Sequence, residues 1–213
     1  MMVGRALLVG VAVSALAVTV ASALPPDGPG PRPTGNPRVI SHPRFKGWTH
    51  WGSGHFDSRR VDGRTIYVTR GGMGLLWFEE DLSDFTVTFG FRVGRAGGNS
   101  GIFLRVPDPV GDDHVHRSFE VQIDPDGTGT SATGAIYDLQ PPLVLVVPEP
   151  GTWYRMRIVV AGERTRVYID GVLVNDFTAR TGGTVKSYEL HGYLGLQNHS
   201  DADVVRYRSI RLH

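Results

Sequence analysis

The segment FTVTFGFRV at Phe85–Val93 alternates strictly between apolar residues and smaller or polar ones. Its apolar members share one face of an extended chain: Phe85, Val87, Phe89, Phe91 and Val93. Threonine, glycine and arginine occupy the other face, and this two-residue period is typical of a half-buried β-strand. The segment therefore predicts a sheet that packs one face against a core.

The downstream chain repeats this pattern and predicts a three-strand meander. Alternating apolar residues over 154–160 are followed by a Gly-Glu turn, a second run over 167–169, an Asp-Gly turn and a third run over 172–177. Similar short runs predict further strands at 65–68, 75–78, 101–106, 118–123, 134–138, 192–198 and 204–212. About eleven or twelve antiparallel strands predict one all-β domain, a β-sandwich or jelly roll.

The composition limits which binding partners the protein can attract by charge and which kinds of cross-link can stabilise it. The 213 residues include 22 basic and 21 acidic side chains, so the formal net charge is +1. This near balance predicts no long-range attraction to nucleic acid or to anionic lipid. The chain has no cysteine, which excludes disulfides and cysteine metal sites, and its 28 glycines suit many tight turns.

The N-terminal segment has the pattern of a secretory signal peptide. Arg5 precedes an apolar run over 6–20, and the small residues Ala21-Ser22-Ala23 then form a cleavage site. Cleavage after Ala23 predicts a secreted protein with no membrane attachment. An uncleaved anchor is the alternative, because the run is nearly long enough to span a bilayer.

Proline and glycine dominate the segment that follows the expected cleavage site. Residues 24–37 read LPPDGPGPRPTGNP, a composition that cannot be buried in a core. The sequence therefore predicts a disordered linker over 24–44 and a folded domain over 45–213.

Three predicted strands carry unusual side chains on the face opposite their apolar residues. We call this set the polar stripe: Arg105, Glu120, Gln122, Gln197 and His199. An ordinary solvated sheet face is one interpretation. These side chains are multidentate hydrogen-bonding groups, however, and Phe103, Tyr193 and two glycines lie among them. Aromatic platforms beside such groups suit a sugar ring, and glycine permits close approach of a ligand.

Several segments, in this order along the chain, resemble the signature blocks of the 3-keto-disaccharide hydrolase domain family. They are GGNSGIFLR at 97–105, FEVQI at 119–123, TGAIY at 133–137, PGTW at 150–153 and GYLGLQNH at 192–199. The resemblance covers roughly 45–213 and implies a concanavalin A-like jelly roll. The loops at 107–117 and 124–131 match no family pattern, so we expect the loops facing the substrate to differ.

The resemblance also implies a secreted hydrolase that breaks glycosidic bonds of sugars oxidised at C3. A ketone at C3 acidifies the proton on C2, so that a base can remove it and the C1–O bond can break by elimination. Water then adds to the unsaturated product, and a lyase step followed by hydration amounts to hydrolysis. Such chemistry needs a base, an electrophile at the ketone oxygen and an acid for the leaving oxygen.

The polar stripe supplies candidates for these roles. We expect Glu120 to act as the base, Arg105 to stabilise the enolate oxygen and His199 to protonate the leaving group. Trp48 and Trp51 are expected to pack in the core or to form a sugar platform. The remaining candidates are expected to bind the carbohydrate: Asn99, Phe103, Gln122, Tyr137 and Gln197.

Other functions compete with this hypothesis. Conventional glycosidases need two carboxylic acids flanking the bond, and only Glu120 stands out on the polar stripe. A non-catalytic, lectin-like carbohydrate-binding module on the same fold is the main alternative, and a surface adhesion domain is another, because a fold does not determine a function.

Two acidic loops contain residue types that bind metal ions. In DDHVH at 112–116, a strand would put His114 and His116 on one face, where Asp113 could complete a zinc or calcium shell. A solvated loop is the alternative; a bound divalent cation would polarise the ketone. In DPDGT at 124–128, oxygen ligands alternate as in a calcium loop, although Asp-Gly is commonly only a turn.

Overall fold

The computed structural model describes residues 36–94, 98–108 and 110–213. The expected signal peptide over 1–23 lies outside the described residues. Within them the chain forms one short helix, α1, at His114–Arg117, a 3₁₀ turn at Gly129–Ser131 and thirteen β-strands. The strands are β1 Arg38–Val39, β2 Trp48–Gly52, β3 His55–Val61, β4 Arg64–Arg70, β5 Gly74–Leu82, β6 Phe85–Val93, β7 Ser100–Val106, β8 Phe119–Ile123, β9 Tyr154–Ala161, β10 Arg164–Ile169, β11 Val172–Thr178, β12 Gly192–Asn198 and β13 Val205–Leu212.

Two antiparallel sheets stack to form a sandwich. The first has eight strands in the order β11-β10-β9-β6-β13-β4-β3, with β1 added beside β13. The second has five strands in the order β2-β5-β12-β7-β8. The inner faces of both sheets contribute to one hydrophobic core. The expected all-β sandwich of antiparallel strands is confirmed.

The segment Phe85–Val93 lies at the centre of this core. Strand β6 pairs with β9 on one side and with β13 on the other. Its alternating apolar side chains point inward, and Phe91 and Val93 are fully buried. The predicted meander is β9-β10-β11, with turns where the two short motifs predicted them. Strict alternation of apolar residues therefore predicted these strands of the eight-stranded sheet correctly.

The structure differs from the sequence-based expectations at the start of the domain and at one predicted strand. The fold begins before Phe45, because Arg38–Val39 pairs with β13 and Ile40 is buried beside it. The strand expected over 134–138 is absent, and Ile136 makes only isolated bridges. Gly134 has a positive φ of 85°, which turns the chain out of the extended conformation.

The helices of the described residues are too short and too polar to cross a membrane.

Candidate functional site

A cavity of about 380 Å³ lies on the outer face of the five-stranded sheet. Its size falls within the range of small-ligand sites. The structure brings together at this cavity every predicted catalytic and sugar-binding residue except Arg105: Asn99, Phe103, Glu120, Gln122, Tyr137, Gln197 and His199.

Strand pairing explains why distant segments meet here. Phe103 of β7 lies directly opposite Glu120 of β8, so the two side chains share the outer face of the sheet. Gln197 of β12 and Trp51 of β2 both lie opposite Leu75 of β5. Four strands therefore present side chains to the same cavity.

Glu120 is the most perturbed titratable group of the cavity. Its side chain is only 4% exposed, and its Oε1 atom has no hydrogen-bond partner among the described residues. Burial raises the pKa of Glu120 to about 8, because desolvation disfavours the charged carboxylate. A carboxyl group that titrates near neutral pH can both accept and release a proton.

Gly101 makes room for this carboxyl group. A Cβ atom at Gly101 would lie 1.9 Å from Oε1 of Glu120 and 2.5 Å from its Cγ atom. These distances are shorter than any van der Waals contact, so a side chain here must displace Glu120. Gly101, the last glycine of the GGNSGIFLR block, is thus explained by its close contact with the Glu120 side chain.

A Gly101→Ala variant is expected to lose activity by displacing Glu120. We expect a free energy of unfolding lower by about 1–3 kcal/mol, as for other overpacked sites, together with a loss of ligand binding. Calorimetric unfolding and sugar titration measure the two effects. Gly111→Ala is the matched control, because its Cβ atom would meet only Oδ1 of Asp113 at 3.9 Å. Equal behaviour of the two variants would contradict this role for Gly101.

Three buried oxygen atoms of the cavity are left without hydrogen-bond partners in the described structure. They are Oε1 of Glu120, Oε1 of Gln122 and Oε1 of Gln197. The orientation of Gln122 is fixed, since its Nε2 group donates to Oδ1 of Asn99 over 3.0 Å. Each buried acceptor left unpaired costs about 1–3 kcal/mol. A ligand rich in hydroxyl donors would satisfy all three.

A histidine and an aspartate form a pair at the rim of the cavity. Nδ1 of His199 lies 2.7 Å from Oδ2 of Asp203. Burial alone would raise the pKa of Asp203, but hydrogen bonds from the Asn99 backbone, Ser200 and His199 hold the pKa below its usual value. Nδ1–H of His199 therefore donates a hydrogen bond to the ionised carboxylate, which leaves the Nε2 position directed to a ligand. Sequence analysis missed Asp203, because residues 199–203 form no helix and their four-residue spacing therefore carries no signal.

The expected position of Arg105 on the polar stripe is wrong. Arg105 has a left-handed φ of 56°, and the register of β7 against β12 shifts by one residue at this point. This bulge ends the alternation, so Val106 faces the cavity side and packs with Phe103. The Arg105 guanidinium instead donates to the carbonyl oxygens of Ser83 and Gly162, at 2.6–2.9 Å, and it lies 3.2 Å from Asp84.

The predicted metal site at 112–116 is also wrong in its geometry. The segment forms the helix α1 and no strand, so His114 and His116 point in different directions. His114 lines the cavity with its ring against Phe103, whereas Nδ1 of His116 bonds to the Thr184 carbonyl on the surface. Within 36–94, 98–108 and 110–213, no three acidic, histidine or cysteine residues cluster around a common point, Asp113 included.

The acidic loop at 124–128 is a turn. Oδ1 of Asp124 accepts the backbone N–H of Asp126 over 3.0 Å, which is the hydrogen bond of an Asx turn. Gly127 packs so closely on the Ser131 carbonyl that a Cβ atom would lie 2.0 Å from the oxygen. Both observations explain the sequence of this loop without a bound ion.

The two candidate tryptophans have different environments. Trp48 is buried in the core, where its Nε1 group donates to the Ile40 carbonyl. Trp51 lies at the cavity, 5.6 Å from the His114 ring. Together with Phe103 and Val115 it gives the cavity apolar lining beside the unpaired oxygens. Apolar lining and acceptor oxygens match the C–H face and the hydroxyl edge of a sugar.

Comparison of the sequence with protein families places most of the chain in a known family. Residues 43–213 match the family described as the 3-keto-alpha-glucoside-1,2-lyase-like domain. No functionally curated protein matches the chain in sequence.

Solved structures share the fold at low sequence identity. A "putative glycosyl hydrolase" from Parabacteroides distasonis is 19% identical with a TM-score of 0.67, over 84% of this chain and 99% of that one. The carbohydrate-binding module CBM66 from Bacillus subtilis is 15% identical with a TM-score of 0.51, over 76% and 92% of the two chains. A Bacillus subtilis protein with a galectin-like fold is 14% identical with a TM-score of 0.52, over 84% and 94%.

Proposed function

The chain belongs to the 3-keto-α-glucoside-1,2-lyase-like domain family, and we propose that it cleaves 3-keto-glycosides by elimination followed by hydration. The observation that carries this proposal is the cavity in which Glu120, with its pKa of about 8, lies among unpaired acceptor oxygens. The family and the cavity support a carbohydrate-active protein. Cleavage of 3-keto sugars in particular is our proposal. If the expected signal peptide is cleaved, the protein acts outside the cell.

In the proposed first step, ionised Glu120 removes the proton from C2 of the sugar. The electron pair of the C–H bond forms the C1–C2 double bond as the C1–O bond breaks. The imidazolium form of His199, oriented by Asp203 through Nδ1, donates its Nε2 proton to the departing oxygen. The products are an alcohol and a 3-keto-glucal.

The ketone oxygen needs a hydrogen-bond donor while negative charge develops on it. Arg105 is directed elsewhere, and the Tyr137 hydroxyl takes this role in our proposal. Tyr137 lines the cavity, and its backbone N–H donates to the Glu120 carbonyl oxygen over 2.9 Å, which fixes it beside the base. In the second step water adds its oxygen to C1 and gives one proton to Nε2 of His199, while Glu120 returns a proton to C2. The sum of the two steps is hydrolysis.

A His199→Gln variant is expected to depend strongly on the leaving group. Without the acid, release of an alkyl alcohol slows by about 10²–10⁴-fold, because general acid catalysis contributes that much. Release of 4-nitrophenol, which needs no proton, slows far less. Rates measured with methyl and 4-nitrophenyl 3-keto-glucosides test this. His116→Gln, an exposed histidine outside the cavity, is the control. An equal loss with both substrates would exclude His199 as the acid.

The direct test of the proposed function is incubation with a 3-keto-glucoside while free sugar is measured. We expect release of 3-keto-glucose and of the alcohol in equal amounts. Saturable binding of the glycoside without release would instead identify a carbohydrate-binding module. A folded protein that neither binds nor cleaves the glycoside would refute both functions.

A further inference from the structure

The outer face of the eight-stranded sheet carries a concentration of positive charge that the near-neutral composition conceals. We call four residues of β4, β6 and β13 the arginine face: Arg64, Arg92, Arg206 and Arg208. Arg92 and Arg206 lie directly opposite each other in the paired strands. Like charges in such a pair destabilise a sheet, and the contacts of Arg92 and Arg208 with the Trp153 ring offset part of this repulsion.

These arginines lack the acidic partners that other arginines of the same sheet have. Arg70 bonds to Asp57, and Arg164 bonds to Asp176. Over the described ranges, none of the four arginines of the arginine face has a carboxylate within salt-bridge distance. Burial, and then the neighbouring guanidinium groups of Arg64 and Arg92, lower the pKa of Arg208. The charge is therefore partly desolvated, and Asp62, which lines the same surface, is not within salt-bridge distance of it.

The surface between these arginines is recessed. Two adjacent hollows of about 250 and 280 Å³ share Arg64 and Arg208 in their walls. Gly90 forms part of one floor, and Arg208 lies flat across it. Trp153 lines the other hollow, with the guanidinium carbons of Arg208 and Arg92 at 4.0 and 4.8 Å from its ring centroid. Each hollow is smaller than the pocket of a drug-sized ligand.

We propose that the arginine face binds an acidic polysaccharide, one that carries carboxylate, sulfate or phosphate groups at intervals along its chain. Guanidinium groups bind such anions through two parallel hydrogen bonds. The Trp153 ring packs against the guanidinium groups of Arg208 and Arg92 and restricts their positions. Two adjoining hollows fit a repeating ligand better than a single small anion. This site is on the opposite sheet from Glu120, and its existence does not rest on the proposed reaction.

The shape of this face favours a flexible polysaccharide over two other polyanions. Duplex DNA is read by a helix or β-ribbon that enters a groove, and these arginines lie in recesses. A membrane surface attracts basic side chains that reach out to the headgroups, whereas Arg92, Arg206 and Arg208 are half-buried. A single glycan chain can follow the hollows across the strands.

Binding of polygalacturonate, measured by calorimetry at low salt with neutral dextran as the reference, tests the proposal. We expect polygalacturonate to bind and dextran not to bind. A variant with Arg64→Gln and Arg208→Gln should bind at least about tenfold more weakly, given the worth of charged hydrogen bonds. Arg64→Gln alone, at an exposed position, should also weaken binding if the double variant unfolds.

The matched control removes the same amount of positive charge from another part of the surface. Arg38→Gln with Arg164→Gln removes two exposed arginines that are paired with Glu80 and Asp176, and it should bind polygalacturonate like the wild type. Equal weakening by both double variants would overturn the proposal in favour of unspecific attraction. A second outcome would also overturn it. In that outcome, duplex DNA or phosphatidylserine vesicles bind the wild type as tightly as polygalacturonate at the same salt, and the variant with Arg64→Gln and Arg208→Gln no longer binds them.

Discussion

Replacement of Glu120 by glutamine is expected to abolish release of sugar from a 3-keto-glucoside while the protein stays folded. Glutamine keeps the shape of the side chain but cannot accept the C2 proton. Removal of a positioned base slows a reaction by about 10²–10⁴-fold. In the wild type, kcat/KM for the 4-nitrophenyl 3-keto-glucoside, whose leaving group needs no proton, should rise with pH toward a plateau above the Glu120 pKa of about 8, because only the carboxylate acts as a base.

The same substitution is expected to stabilise the protein. The pKa of Glu120 is raised from an ordinary value of 4.5 to about 8 in the folded state. Between these values the unfolded chain is ionised while the folded protein keeps its proton, so stability falls as pH rises. The slope is about 1.4 kcal/mol per pH unit for one proton. Above pH 8 the wild type has lost this contribution in full, and Glu120→Gln should not show the loss.

Thermal unfolding between pH 5 and 9 measures this difference on the order of a few kcal/mol. Glu163→Gln, an exposed carboxylate in the turn after β9, is the control and should leave the pH profile unchanged. If the Glu120→Gln variant were less stable than the wild type at pH 8, the carboxylate would have unrecognised partners. If it also turned over substrate at the wild-type rate, Glu120 would not be the base.

Replacement of Arg105 by alanine is expected to have the opposite pair of effects, lower stability and intact chemistry. The guanidinium satisfies the carbonyl oxygens of Ser83 and Gly162, which would lose their donor. Asp84 is largely exposed and contributes less to the loss. Ser83 and Gly162 are exposed, so water replaces part of the lost hydrogen bonding, and we expect a loss of about 1–3 kcal/mol in total. Per folded molecule, kcat/KM should stay within about threefold of the wild type.

Chemical denaturation and turnover at a temperature where the variant is folded separate these two effects. Arg60→Ala, an exposed arginine on β3, serves as the control and should change neither quantity. A loss of turnover by Arg105→Ala without a loss of stability would restore the role in enolate stabilisation that the sequence suggested.

The sequence predicted the sheets well because burial on one face imposes a period of two on the residues. Strand β6 and the β9-β10-β11 meander follow that period throughout, and they were predicted correctly. The positions of Glu120, Gln122 and Gln197 followed from the same rule, and the structure puts all three at one cavity.

The errors arose where the backbone leaves the extended conformation. Arg105 and Gly134 both have positive φ, and one such residue is enough to reverse or end the alternation that places a side chain. A non-glycine residue in this conformation gives no signal in the sequence. In α1, four residues are too few for a helical period to be detected. Asp203 was missed because its role depends on a contact across a turn.

Incorporation of solvent deuterium at C2 tests the central claim most directly. In D₂O, removal of the C2 proton and return of a deuteron during hydration should give 3-keto-glucose with deuterium at C2 from the earliest time points, measured by NMR. Free 3-keto-glucose incubated alone corrects for spontaneous exchange. Our account predicts one deuteron at C2 for each glycosidic bond broken by the wild type. Release of 3-keto-glucose that retains its original C2 proton, at a rate that does not change when the substrate carries deuterium at C2, would contradict it.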